Sequence, residues 1–179
     1  TGSGKTFTAL NAIAQIFDTF NPTVIIGVPY RLLAFQWFNE CEKFFAKQKI
    51  DVKIVKCWSD NKNWRRESKQ ALLEKKSKEF DKEKILTIFV VVNKTLFDSF
   101  ESEIIQNENF DVDKTFFIGD ECHNYSSRFS ENLLPPFGYR LGLSATPVND
   151  KSDLRDGEKE MLEYFGEVQD IYTLSDALN

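Results

Sequence analysis

The chain has 179 residues, 41% hydrophobic and 14% aromatic, with 17 phenylalanines and a formal net charge of -5. That length fits one domain, and the apolar content supports a substantial core, which excludes a disordered chain. The acidic balance argues against a uniformly basic, nucleic-acid-coating protein but leaves room for a basic face on one side.

The first six residues, Thr1, Gly2, Ser3, Gly4, Lys5 and Thr6, supply most of a phosphate-binding loop, G-x-x-x-x-G-K-[ST]. The spacing of Leu10, Ile13, Ala14 and Phe17 then predicts a helix over Phe7 to Phe20, stopped by Asn21 and Pro22. Thr23 to Val28 is continuously apolar and reads as a buried parallel strand. Tyr30 to Phe45 is a second helix, with Leu33, Trp37, Cys41 and Phe44 or Phe45 on one face, and Val52 to Cys57 is a short strand.

Asp60 to Lys84 is the least apolar stretch, with nine basic and five acidic residues from Lys62 onward. The favoured reading is a solvated helix laced with i,i+4 charge pairs; a nucleic-acid patch with Trp58 or Trp64 as a stacking face is the competing one. Ile85 to Val92 predicts a central strand and Lys94 to Ile105 a helix. Thr115 to Gly119 and Tyr139 to Leu143 are two more strands. Glu158 to Phe165 is a helix closed by Gly166, and Val168 to Tyr172 is extended. Strands alternating with helices predict an α/β fold whose parallel sheet carries helices on both faces. Cys41, Cys57 and Cys122 show no metal-binding spacing and read as reduced thiols of a cytoplasmic protein. No apolar run reaches the roughly 20 residues that cross a bilayer.

Glycines at the head of a helix turn backbone N–H groups toward phosphate oxygens, and the helix dipole reinforces them. Lys5 is then placed to neutralise the β and γ phosphates of ATP, and the Thr6 hydroxyl to ligate Mg2+. Asp120 and Glu121 follow a buried strand at the edge where open α/β sheets place ligands. They divide the work: Asp120 holds Mg2+ through water, and Glu121 orients and deprotonates the attacking water. The bland alternative for this pair is an acidic strand-to-loop cap. His123, the only histidine in the chain, gains weight from standing two residues after Glu121.

With TGSGKT at 1–6, DECH at 120–123 and SAT at 144–146, the chain resembles superfamily 2 helicases and translocases of the DExH (DEAD/DEAH-box) type. Pro29 to Leu33 with Gln36 and Trp37, and Val91 to Leu96, fall where that family carries nucleic-acid contacts. The segment RLGLSATPV at 140–148 is similar to the motor subunits of type I and III restriction enzymes and to XPB-like repair helicases.

The resemblance implies a RecA-like P-loop NTPase fold, with 1–179 a single ATP-binding domain that starts inside the loop. A second RecA-like domain of the same polypeptide would supply the arginine that completes hydrolysis, so the isolated fragment is expected to be inactive. It also implies that His123, Ser144 and Thr146 couple the nucleotide site to nucleic acid, and that Arg31 and Thr95 touch the phosphate backbone. Tyr30 stands where relatives commonly have threonine. DNA is the favoured substrate, with a nuclease or methyltransferase module as a further partner. An RNA helicase, a P-loop ATPase acting on proteins and an inactive nucleotide-sensing scaffold are the alternatives.

Overall fold

The computed structural model describes residues 4–125, 134–144 and 158–166. Five strands, β1 (Thr23–Val28), β2 (Val52–Cys57), β3 (Leu86–Val92), β4 (Thr115–Asp120) and β5 (Tyr139–Leu143), lie in the order β2-β3-β1-β4-β5. Every pairing is parallel. The three inner strands are buried at every position, which is why their sequences are continuously apolar rather than alternating.

Helices α1 (Lys5–Phe20) and α2 (Arg31–Gln48) cover one face of the sheet. On that side Val24, Ile26 and Val28 meet Leu10, Ile13, Trp37 and Phe45. The opposite face is covered by α3 (Trp64–Phe80), by α4 (Asn93–Thr95) with the π-helical segment Leu96–Ile105 that continues it, and by α5 (Glu158–Phe165). There Ile25, Phe89 and Phe117 meet Trp64, Phe100 and Met161. Adjacent residues of one strand thus feed different cores, as the two-residue strand period requires.

Four local differences from the sequence reading have physical causes. Helix α1 starts at Lys5, not Phe7, because the loop's lysine and threonine occupy the first helical turn. Helix α2 runs on to Gln48 and is closed by Lys49 in the left-handed conformation, φ 56°. After Asn93 the helix loosens into π geometry, with Gln106 N–H bonded five residues back to Glu101.

The fourth difference is the charged helix α3. Among the described residues only Lys75–Glu79 is an i,i+4 pair within it; three further cations reach beyond the helix, Arg65 and Lys69 to Glu103 and Lys78 to Asp51. Trp58 and Trp64 are 1% and 4% exposed and offer no face for stacking. Lys75 is itself buried, donating to the carbonyls of Asn21 at 2.7 Å and Pro22 at 3.4 Å beneath the sheet. The predicted extension over Val168 to Tyr172 lies outside the described residues.

Candidate nucleotide and metal site

Parallel strands deliver the loops that follow them to a single edge, and here that edge collects the sequence-marked residues. Thr95 follows β3, Arg31 follows β1, Glu121 follows β4 and Ser144 follows β5. In strand order, the two expected nucleic-acid contacts are neighbours, and the two motif residues beyond them are neighbours.

Gly4 caps α1 at φ 72°, a left-handed conformation that side chains disfavour, and its carbonyl accepts the Thr8 N–H at 2.9 Å to start the helix. Lys5 in the first turn reaches across to Glu121, Nζ to Oε1 3.7 Å, with both side chains about one-fifth exposed. The expected lysine and acid therefore meet, although 116 positions separate Lys5 from Glu121.

Asp120 ends β4 and is 7% exposed. Its Oδ1 accepts the Glu121 N–H at 3.0 Å, and its Oδ2 accepts the indole N–H of Trp37 at 2.8 Å. Burial pushes the carboxyl above its ordinary value; the Trp37 bond opposes that shift, the neighbouring Glu121 charge adds to it, and Lys5 also opposes it.

The chain turns sharply at Glu121, whose φ of 50° is left-handed for a non-glycine residue and costs on the order of 1 kcal/mol or more. Asn124 holds the turn, donating its backbone N–H at 2.9 Å and its side-chain amide at 3.1 Å to the Glu121 carbonyl. The 3-10 turn Cys122–Tyr125 follows. His123 Nδ1 lies 2.9 Å from Ser144 Oγ and 3.5 Å from Glu121 Oε2. Pairing of Asp120 with Leu143 brings Ser144 beside this turn.

The turn also folds Tyr125 under the sheet. Gly27, Gly119 and Gly142 lie in register across β1, β4 and β5. Tyr125 packs over the first two and Phe165 of α5 over the last two; a Cβ on Gly119 would stand 2.7 Å from Tyr125 and 2.8 Å from Phe165. Phe117 stacks with both rings. The strand carrying Asp120 is thus clamped on one face by Trp37 and on the other by two aromatic rings.

Arg31 lies on the exposed surface and is paired to Asp60 at 2.6 Å. Thr95 is half-buried at the end of α4. Thr1, Gly2, Ser3 and Thr146 lie outside the described residues. The sequence places Trp37 in the core and, by resemblance, in a segment of nucleic-acid contacts, without pointing to Asp120, and it gives Asn124 no role. The available signal for Trp37 was general, since a buried indole N–H requires an acceptor.

The donor chemistry fits Mg2+. Among the described residues, no cluster of three or more His, Cys, Asp or Glu side chains forms a protein-only metal cage. One hydroxyl and one carboxylate, both hard oxygen donors, suit an ion that completes its shell with water and substrate phosphates. Cys41, Cys57 and Cys122 are buried free thiols, each pushed up to about 12 chiefly by burial. No described helix is long and apolar enough to cross a membrane.

The family model described as type III restriction enzyme, res subunit, matches residues 1–149, a span that takes in the loop, the acidic pair and all five strands. No curated protein matches the chain. The all-parallel sheet with helices on both faces, joined to that match, makes the chain a RecA-like, helicase-type ATP-binding domain belonging to the type III restriction enzyme res subunit family.

Proposed function

We propose that this domain is the ATP-hydrolysing half of a nucleic-acid-stimulated motor that translocates on DNA. The observation that carries the reading is the linked set Lys5–Glu121–His123–Ser144 at the C-terminal edge of the sheet. An acidic cap without catalytic duty has no need of a lysine from a loop on one side and a serine from another strand on the other.

In this reading Gly2 to Thr6 cradle the phosphates of ATP, and Lys5 neutralises the β and γ groups. Thr6 and Asp120 hold Mg2+, which when bound offsets charge on the β and γ oxygens. Glu121 takes the proton of the attacking water, a role worth about 10^2–10^4 in rate. Before ATP arrives its carboxylate is held by Lys5; phosphates entering the loop draw Lys5 away and release Glu121 toward the water. His123 and Ser144, joined at 2.9 Å, report that change to the strand end after β5, with Thr146 two residues beyond.

Arg31 and Thr95 contact the phosphate backbone of the nucleic acid. A second RecA-like domain supplies the arginine, and a nuclease or methyltransferase module uses the motion in a cytoplasmic restriction-modification system.

The test is Glu121→Gln in the full-length protein, with ATP binding and turnover measured separately. Retained binding with turnover reduced at least about 100-fold is expected; turnover at the wild-type rate would overturn the assignment. Parallel stimulation by duplex DNA, single-stranded DNA and RNA decides the substrate, and stimulation by RNA alone would make the protein an RNA motor.

A further inference from the structure

Asp120 must offer its carboxylate to a metal site while sitting in a nearly closed pocket. A carboxylate has about four lone-pair positions. Two are taken, one on each oxygen, by the Glu121 N–H and the Trp37 indole N–H. The backbone bond fixes one oxygen locally, because donor and acceptor belong to adjacent residues. The indole bond comes from another element and determines the rotation of the group. Without it, Oδ2 would be left buried without this donor, and the side chain would turn to regain one.

Trp37 is a rigid donor for this purpose. It is 1% exposed, in the core formed by α1, α2 and one face of the sheet, with Ala9, Ala34 and Cys41 in the same buried cluster. Its ring has no room to follow a moving carboxylate. It also rides on α2, the helix headed by Arg31.

We propose that Trp37 is a positioning residue for the metal carboxylate, holding Asp120 in the one orientation that presents its remaining lone pairs to the ion. Trp37 touches neither substrate nor metal, and acts through Asp120. The assignment rests on the nucleotide-site reading above. Partners that orient metal ligands in this way typically contribute about 10–100-fold to metal affinity or activity.

The experiment uses the full-length protein and measures Mn2+ binding in the presence of ADP by electron paramagnetic resonance, which needs no turnover. Trp37→Phe removes the donor. Benzothienylalanine introduced at position 37 removes it while keeping the ring's size, so a folding defect in the first variant leaves the test intact. Phe45→Leu, a deletion in the same core with no polar bond, controls for lost stability.

Both Trp37 variants are expected to weaken nucleotide-dependent Mn2+ binding about 10–100-fold while leaving metal-free ADP binding unchanged; Phe45→Leu should not move Mn2+ affinity. In an Asp120→Asn background, Trp37→Phe should cost nothing further. Wild-type Mn2+ affinity in the benzothienylalanine protein, or a full additive loss in the Asp120→Asn background, would overturn the proposal. Absence of any nucleotide-dependent Mn2+ site in the wild type would instead overturn the nucleotide-site reading beneath it.

Discussion

Replacing Gly119 with alanine puts one methyl group where two rings already lie against β4. The new Cβ would stand 2.7 Å from Tyr125 Cε2 and 2.8 Å from Phe165 Cζ, well inside the roughly 3.5–4.0 Å at which carbon atoms attract. The rings have little freedom to yield: Tyr125 is fully buried, and both stack on Phe117. Overpacking of this kind costs about 1–3 kcal/mol. Against it stands the reduced freedom of the unfolded chain, about 0.4–1 kcal/mol in favour of alanine, because Gly119 is not in the left-handed region.

The close contact wins, and a net loss of about 1–2 kcal/mol is expected. For a chain of this size that lowers the melting temperature by roughly 2–8 °C. Thermal and urea melts of the variant beside the wild type measure it. In a double-mutant cycle, Gly119→Ala should cost less in a Phe165→Ala background than in the wild type, since one of the two colliding rings is then gone. A Gly119→Ala protein as stable as the wild type, or more so, would refute the reasoning, because the packing cost would then be no larger than the backbone gain.

Asp60→Asn frees Arg31 from its exposed ion pair. Such pairs are worth at most about 1 kcal/mol, so nucleic-acid affinity of the full-length protein should rise up to about fivefold in a low-salt titration, and Arg31→Ala should erase the gain. Unchanged or weaker binding would show that Arg31 is not a contact restrained by Asp60.

Lys75 carries a pH signature. Burial lowers it from 10.5 to about 8, with Glu79 opposing and Lys114 reinforcing the shift. Between those values the unfolded chain keeps a proton that the folded chain has released, so this group makes stability rise with pH from about 8 toward 10.5. The slope is on the order of 1 kcal/mol per pH unit. The buried thiols act in the opposite sense above pH 9, but equally in wild type and Lys75→Met. Urea melts of the two in reductant should diverge across this window, and parallel curves would contradict the shift.

The sequence by itself determined the fold class and which residue types gather at the edge. Continuous apolar runs such as Thr23–Val28 and Leu86–Val92 are buried on both faces, and only helix-covered parallel strands require that pattern. Loop and acidic pair are local patterns set by adjacent residues, so Lys5, Asp120 and Glu121 were legible without coordinates.

Long-range pairing was not. The bond from Trp37 to Asp120, the reach of Lys5 to Glu121 and the contact of His123 with Ser144 join residues on different elements. Periodicity could place Trp37 on a buried helix face, yet the acceptor of its N–H depends on which strand end lies opposite. The same limit hid Lys75, whose charged neighbours in sequence mark a solvated helix while its own position faces the open carbonyls below the sheet. It also hid the three glycines, which mean nothing until strand register aligns them into a seat for Tyr125 and Phe165. Identity and spacing along a chain specify local conformation and chemical type. Which groups face one another is decided by the crossing of distant elements, and there the site acquires its geometry.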